Sequence, residues 1–546
     1  MLPRLSRDRG KRHRENARLT PINEKPMKKI YALLLAGLLL APAGCKDFLD
    51  VNTNPNGPET VSANLYLPSM LHWMATSPEY DGRYIGRYTQ QWMGPGTSIS
   101  VWDRMGYASA SDAAAEQWRM TYWLFGQNLI DMNTKAQNEE RWDILGVGQV
   151  LKAYGWQVLV DMHGPIIIKE AFDQSRTTFD YDDEQYAYFE VDSLLHEAIT
   201  NLQRTDGAVD QGYLAVGDKI YNGDRTKWLK FAYGLLAMNM NHYSNKSTYD
   251  PDSVIKLVDQ SFASNADDAL FPYPAVQGND DRNFYGTSRD NVTGFRQTEF
   301  VVHLMDGTEF GGTVDPRMSR MLAPSPDGQY RGLDVNVAGY GTLTADEKPM
   351  NFFGYTSLPA PGQPSRYIFS DKSHFPIMTY AQLQFVKAEA AYLAGHKDVA
   401  LEAYKNGVSS HIDFVNARNS DDGQAPSQIS ATEKAAFLAD PNIVPSEANL
   451  TLSHIMSQKY IAQWGWGHNE LWMDMRRYHY IDQEGGQEVF RGFAIPTNLF
   501  VDNGGKPVQR TRPRYNSEYV WNQAGLAPIG GLDADYHTKE LWITQP

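Results

Sequence analysis

Two kinds of residue in this chain of 546 are placed to do chemistry: a single cysteine and a set of aromatics in loops. Catalytic constellations do not emerge from the spacing. There is no Gly-x-Ser-x-Gly elbow, no glycine-rich phosphate loop closed by Lys-Ser/Thr, and no His-Glu-x-x-His. None of the 13 histidines falls at a metal-ligand spacing. His163, beside Gly164, reads as a turn residue. Asp50-x-Asn52-x-Asn54 begins like a calcium loop, but its twelfth position is Val61 and Pro55 interrupts it. Glycoside hydrolysis needs only two carboxylates, so motif alone does not settle it. The two most tempting acids, Glu389 and Glu470, sit on helical stretches and read as scaffold partners for Lys or Arg. Arg476-Arg477 closes a helix and reads as a carbonyl and dipole partner rather than an anion site. No cofactor or metal is expected.

Aromatics make up 12 % of the chain, with 13 Trp and 31 Tyr. Such rings join a flat apolar face to a polar handle and stack well on other apolar faces. Trp92 and Trp102 flank Gly94-Pro95-Gly96, with Tyr107 just beyond, and form one candidate ligand-binding arc. Tyr285, Tyr340, Phe353 and Tyr355, with Arg282 and Asn283 as hydrogen-bonding neighbours, form a second set. Trp118, Tyr122 and Trp123 lie on a helical stretch and read as core.

The cysteine, Cys45, ends a segment with an export pattern. Lys28-Lys29 precede an apolar run from Ile30 to Leu40, and Ala43-Gly44 lead into the thiol. The run is too short for the roughly 20 residues of a membrane-spanning helix. Acylation of the thiol at a lipobox-like cleavage site is the expected chemistry, although Pro42 stands where an apolar residue is usual. This divides the chain into a basic upstream extension (1–26), a signal peptide (27–44), a lipidated turn-rich tether (45–59) and one domain (60–546). Residues 1–44 hold 10 of the 50 Lys+Arg and 3 of the 65 Asp+Glu, which leaves 40 and 62 and a formal charge of −22. That surface repels phosphate backbones, so nucleic acid is not an expected partner. With no second cysteine, an internal disulfide is impossible, and the fold must rest on its core.

Hydrophobic periodicity predicts helices over 60–76, 112–137, 142–162, 184–203, 225–243, 252–263, 377–394, 397–418, 432–439 and 451–479. Asp112 reads as the cap of the second. Val147, Leu151, Tyr154 and Val158 mark one buried stripe on the third. Gly, Pro, Asn and Asp dominate 264–372, which reads as loops with small strands, Phe300-Val301-Val302 among them. The last 60 or so residues read as coil. The fold class is mainly α, and 377–418 has the look of a tetratricopeptide-type hairpin.

Several stretches, in order, resemble the SusD/RagB family of nutrient-binding outer-membrane lipoproteins of Bacteroidetes. They are Lys46-Asp47-Phe48-Leu49-Asp50-Val51-Asn52-Thr53-Asn54-Pro55, Asp161 with Gly164-Pro165, Asp218-x-x-Tyr221-x-Gly223-Asp224 with Trp228-x-Lys230-Phe231, Asp315-Pro316-Arg317, Ile377-Met378-Thr379-Tyr380, Gln458-Lys459-Tyr460, Glu470-x-Trp472, and Arg514-Tyr515-x-x-Glu518. Gln382 stands where the family often has Glu. The resemblance implies a SusD-like helical fold with tetratricopeptide-like pairs and a lipid at Cys45 holding the protein at the cell outer membrane. It also implies oligosaccharide binding, without covalent chemistry, and delivery to a SusC-type TonB-dependent transporter. Peptide binding, as in RagB-like members, and a lipid-anchored glycoside hydrolase are the alternatives.

Overall fold

A computed structural model describes residues 61–96, 98–423 and 426–546. Cys45, the signal segment and the tether lie outside the described residues. Among the described residues, the unit from Ser62 to Pro546 is built from helices with three two-stranded antiparallel sheets. Helix α1 is Leu67–Tyr88, and α2 (Glu116–Arg119) runs through a π-helical stretch, Met120–Phe125, into α3 (Gly126–Asn138). Then come α4 (Trp142–His163), α5 (Glu184–Gln203), α6 (Gln211–Gly217), α7 (Arg225–Asn241) and α8 (Pro251–Gln260). The irregular middle holds α9 (Glu299–Met305) and α10 (Met318–Met321). Beyond it lie α11 (Tyr380–Leu393), α12 (Lys397–Arg418), α13 (Ala431–Ala439), α14 (Leu452–Gln463), α15 (His468–Arg477) and α16 (Gln523–Leu526).

Pairs α4–α5 and α11–α12 form the most extensive helix contacts. Local chemistry fixes their ends. Asp183, Asp224, Asp250 and Thr451 accept first-turn amides. Thr379 and Gln382 make a reciprocal capping box at the start of α11, so Gln382 performs the task of a Glu at that position.

Three expectations change. Phe300-Val301-Val302 is helical, not a strand, because the apolar run faces the core from within α9. The span 451–479 is two helices, broken at Trp464-Gly465-Trp466-Gly467, with Gly465 at φ +91°. Helix α4 is buried on all sides rather than along one stripe, with only Trp142 and Lys152 outside the core. A helix that is apolar all round belongs at the centre of a domain, and α4 lies between α5, α3 and the π-helical stretch.

A buried ionic network ties α4, the turn that follows α7, α11, α14 and α15 together. Arg477 binds Glu389 at 2.7 Å and Asp474 at 2.6 Å. Lys459 binds Asp474 at 2.7 Å and Glu470 at 3.3 Å. His242 bridges Glu470 at 2.9 Å and Asp161 at 3.3 Å. Glu389 and Glu470 are thus scaffold partners of cations. Arg476 donates to the carbonyls of Trp472, Asp161 and Gln509, as expected of a helix-end arginine, whereas Arg477 serves the ionic network.

Burial opposes charge on His242, but Asp161 and Glu470 outweigh it and raise the imidazole from 6.5 to about 10. The folded state therefore holds this proton more tightly than the unfolded chain does. The stabilisation is complete below pH 6.5 and disappears as pH rises through about 10. The unfolding free energy from urea titration should fall between pH 6.5 and 9.5 by an amount on the order of several kcal/mol, with the midpoint falling in step, and His242→Gln should flatten that slope. Identical wild-type midpoints at both pH values would contradict this assignment.

Candidate functional site

An aromatic cleft of about 690 Å³ opens on the domain. Its walls come from α2 and the π-helical stretch (Trp118, Arg119, Tyr122, Trp123), the 167–179 loop (Ile167, Phe172, Phe179) and the C-terminal turn (Arg514, Ser517, Glu518).

The helix carrying the aromatics is positioned from three directions. Its first turn is capped by Asp81 of α1, whose carboxylate accepts from the Glu116 amide at 3.0 Å and the Gln117 amide at 2.8 Å. Asp112, the cap expected from the sequence, instead binds Arg514 at 2.7 Å and the Asn516 amide at 2.9 Å. Burial pushes the Asp81 carboxyl up to about 7, against the pull of these amides. Glycines on α4 let the helix lie close: a Cβ at Gly155 would stand 3.0 Å from Thr121, and one at Gly148 would overlap Asn133. At Gly126, φ is +42°, which ends the π-helical stretch and redirects the chain into α3.

Tyr122 is fixed by Ile167, donating to its carbonyl at 2.8 Å and accepting from its amide at 2.9 Å. Trp118 lies 4.8 Å from Tyr122 between ring centroids, and Phe172 lies 6.2 Å from it. Trp123 is the exception to this packing: 63 % of its surface is exposed, and the Arg119 guanidinium sits 4.2 Å over its ring. The core reading holds for Trp118 (3 % exposed) and is corrected for Trp123. Adjacent residues on a helix point to different faces, and Trp123 does not share the inward face used by Trp118 and Tyr122.

The charges around the cleft are balanced. Arg119 pairs with Glu116 at 2.9 Å, and Arg514 with Asp112. Glu518 accepts from Tyr181 at 2.8 Å and Asn522 at 2.9 Å, and burial raises its carboxyl above the usual range. A neutral, ring-lined cleft with hydrogen-bonding edges suits a neutral polyhydroxylated ligand better than an anion. Among the described residues, no group of three or more His, Cys, Asp or Glu side chains is arranged to hold a metal ion.

None of the nine loop candidates lines this cleft. Trp92, Asn283 and Tyr285 have no exposed surface, and Phe353 is 2 % exposed. They are core residues. Trp92 packs edge-on to Tyr285 at 5.9 Å and fills the notch left by Gly86. Asn283 donates to the carbonyls of Ile368 and Ser370, tying the loop down from within. Trp102 and Tyr107, each 5 % exposed, pack on each other at 5.0 Å. Arg282, Tyr340 and Tyr355 stay partly exposed, on other parts of the surface; Tyr340 sits under Arg296 and Lys348. Large rings in Gly-rich loops are drawn inward because each buried ring contributes about 2–3 kcal/mol.

The sequence profile of a family described as "Starch-binding associating with outer membrane", SusD-like_2, matches residues 55–488. No curated protein matches the sequence significantly. Among solved structures, a SusD/RagB family protein of Bacteroides thetaiotaomicron superposes with a TM-score of 0.68 at 22 % identity, covering 89 % of this chain and 99 % of the other. A SusD homologue of Bacteroides fragilis gives 0.66 at 18 %, covering 89 % and 100 %. A chitin-binding SusD homologue of Flavobacterium johnsoniae gives 0.64 at 19 %, covering 88 % and 98 %. No helix among the described residues is long and apolar enough to cross a membrane. With most of its length matched in sequence and its helical fold shared with these proteins, the chain belongs to the SusD-like family.

Proposed function

We propose that this protein is a non-enzymatic binding subunit for neutral oligosaccharides. It takes them up in the aromatic cleft and passes them to a SusC-type TonB-dependent transporter in the outer membrane. The observation that carries the reading is the exposed Trp123 ring at the edge of a charge-balanced cleft of about 690 Å³. A ring held outward on a rigid helix is a ready platform for the apolar face of a sugar. The family description and the chitin-binding relative support a carbohydrate as the ligand class. Lipid on Cys45 would hold the domain at the membrane, where a lid over a transporter must sit.

Titration calorimetry of the purified domain against malto-oligosaccharides, chito-oligosaccharides and short neutral peptides tests the proposal. Heat from at least one saccharide series, with the saccharide recovered intact, is the expected result. Binding of peptides alone would move the chain to a peptide-uptake role, and release of new reducing ends would make it a hydrolase.

A further inference from the structure

A separate cleft, of about 340 Å³, opens where the loop around Phe310 meets the segment between α13 and α14. It shares no lining residue with the aromatic cleft. A glycine lets the two segments meet: Gly311 has φ +61°, and a Cβ there would stand 2.7 Å from Asn442 Oδ1. Asp440 ties them together, accepting from Thr313 Oγ1 at 2.7 Å and from the Asn442 amide at 2.9 Å.

The charge of this cleft runs against that of the molecule. Residues 45–546 carry a formal −22, yet the lining holds an arginine, a histidine and no carboxylate. Arg491 is half-buried and held by three contacts. Its Nε donates to Ser453 Oγ at 2.8 Å, its Nη1 donates to the Glu309 carbonyl at 3.1 Å, and its Cζ lies 4.6 Å over the Phe310 ring. Glu309 thus gives it a main-chain oxygen, and among the described residues Arg491 forms no ion pair. Its Nη2 has no hydrogen-bond partner among them and is not sealed from solvent. Burial holds the guanidinium below its ordinary pKa. A charge drawn part-way out of water is normally paired; this one is positioned and left without a counter-ion.

His454, in the first turn of α14, supplies a second donor. Thr451 Oγ1 already accepts from the His454 amide, so its hydroxyl proton goes to Nδ1, 2.8 Å away. The ring proton then sits on Nε2, which has no partner among the described residues. Burial and the Arg491 charge push the imidazole down to about 3, so at neutral pH it donates as a neutral ring. Asp440 and Glu484, on adjoining segments, are engaged elsewhere, Glu484 by the Leu452 amide at 3.0 Å and the Tyr392 hydroxyl. Glu447 is exposed and does not line the cleft. Ser446 and Asn449 add neutral hydrogen-bonding groups at exposed positions of the lining.

We propose that this cleft binds a small molecule bearing an oxyanion, a carboxylate or a sulfate ester, held between Arg491 and His454. The guanidinium supplies a charge-assisted donor and the imidazole a neutral one. The volume lies at the lower end of ligand pockets, which suits a body of about one sugar or amino-acid unit behind the anion. The site is independent of oligosaccharide uptake and stands or falls apart from it.

Calorimetry of the purified protein with glucuronate, glucose 6-sulfate, N-acetylalanine and glucose tests it. At least one of the three anions should bind with a Kd of about 1 mM or tighter, and glucose at least about tenfold more weakly. Which anion binds identifies the source of the oxyanion. Arg491→Gln should lower anion affinity by about tenfold or more. Ser446→Asp places a carboxylate at an exposed position of the lining, and it should do the same with the melting temperature unchanged. Should Arg491→Gln unfold the chain, Ser446→Asp still decides. Absence of binding by all three anions, glucose bound as tightly as the anions, or full anion affinity in Ser446→Asp overturns the site.

Discussion

Trp123→Ala lowers the affinity for bound oligosaccharide by about 30-fold without lowering thermal stability. The magnitude follows from area. A sugar face covering the exposed ring removes on the order of 80 Å² of apolar surface from water, worth about 2 kcal/mol at 25 cal/mol per Å², and 1.4 kcal/mol is a factor of ten in affinity. The fold depends little on this side chain, which is 63 % exposed and carries the Arg119 guanidinium over its ring. Exposed substitutions of this kind stay within about 0.5 kcal/mol of wild-type stability. Trp118→Ala is the opposite case: its ring is 3 % exposed, so it should cost about 3–5 kcal/mol of stability. Calorimetry and thermal melts on the two variants separate platform from core. A Trp123→Ala protein that binds as tightly as wild type would remove this ring from the site.

Lys459→Met destabilises the fold by about 3–5 kcal/mol, although a methionine fills nearly the same volume. The ammonium has no exposed surface and lies within 4.0 Å of Glu389, Glu470 and Asp474. Burial acts against charge on Glu389, but Arg477 and Lys459 overcome it and hold the carboxyl at about 2. Glu470 is held below the usual range in the same way, by His242 and Lys459. Four carboxylates, Asp161, Glu389, Glu470 and Asp474, face three cations, so removing one cation leaves uncompensated negative charge away from water. Adding Asp474→Asn to Lys459→Met should recover part of the loss, a coupling read by a double-mutant cycle in urea. A single variant within 1 kcal/mol of wild type would show that the network is dispensable.

Much of the helical scaffold was legible from residue order. The limits of α5 and α12 coincide with those read from periodicity, because Asp183 caps the first and the Gly395 turn precedes the second. Glu389 and Glu470 were readable as ion-pair partners because charged residues on packed helices need counter-charges. Asp81 was not readable as the cap of a helix that starts 35 residues later. Capping signals are recognised locally, and this one is made across the fold. The site suffered the same way. Loop position made Trp92 and Tyr285 candidates for ligand contact, yet a loop closed over a core turns its rings inward.

The sequence by itself determined the class of protein: the lone cysteine after an export-like segment, the acidic balance, the order of helices and the family signatures are all properties of residue order. The tertiary structure alone decided which aromatics are available to a ligand. The chain is rich enough in Trp and Tyr to supply both core and site, and periodicity places each ring only relative to its own helix. Whether that face meets another helix or a cleft depends on distant partners. Asp81, Gly148 and Gly155 set the aromatic helix in place, and Arg514, Ser517 and Glu518 line the same cleft as Trp123.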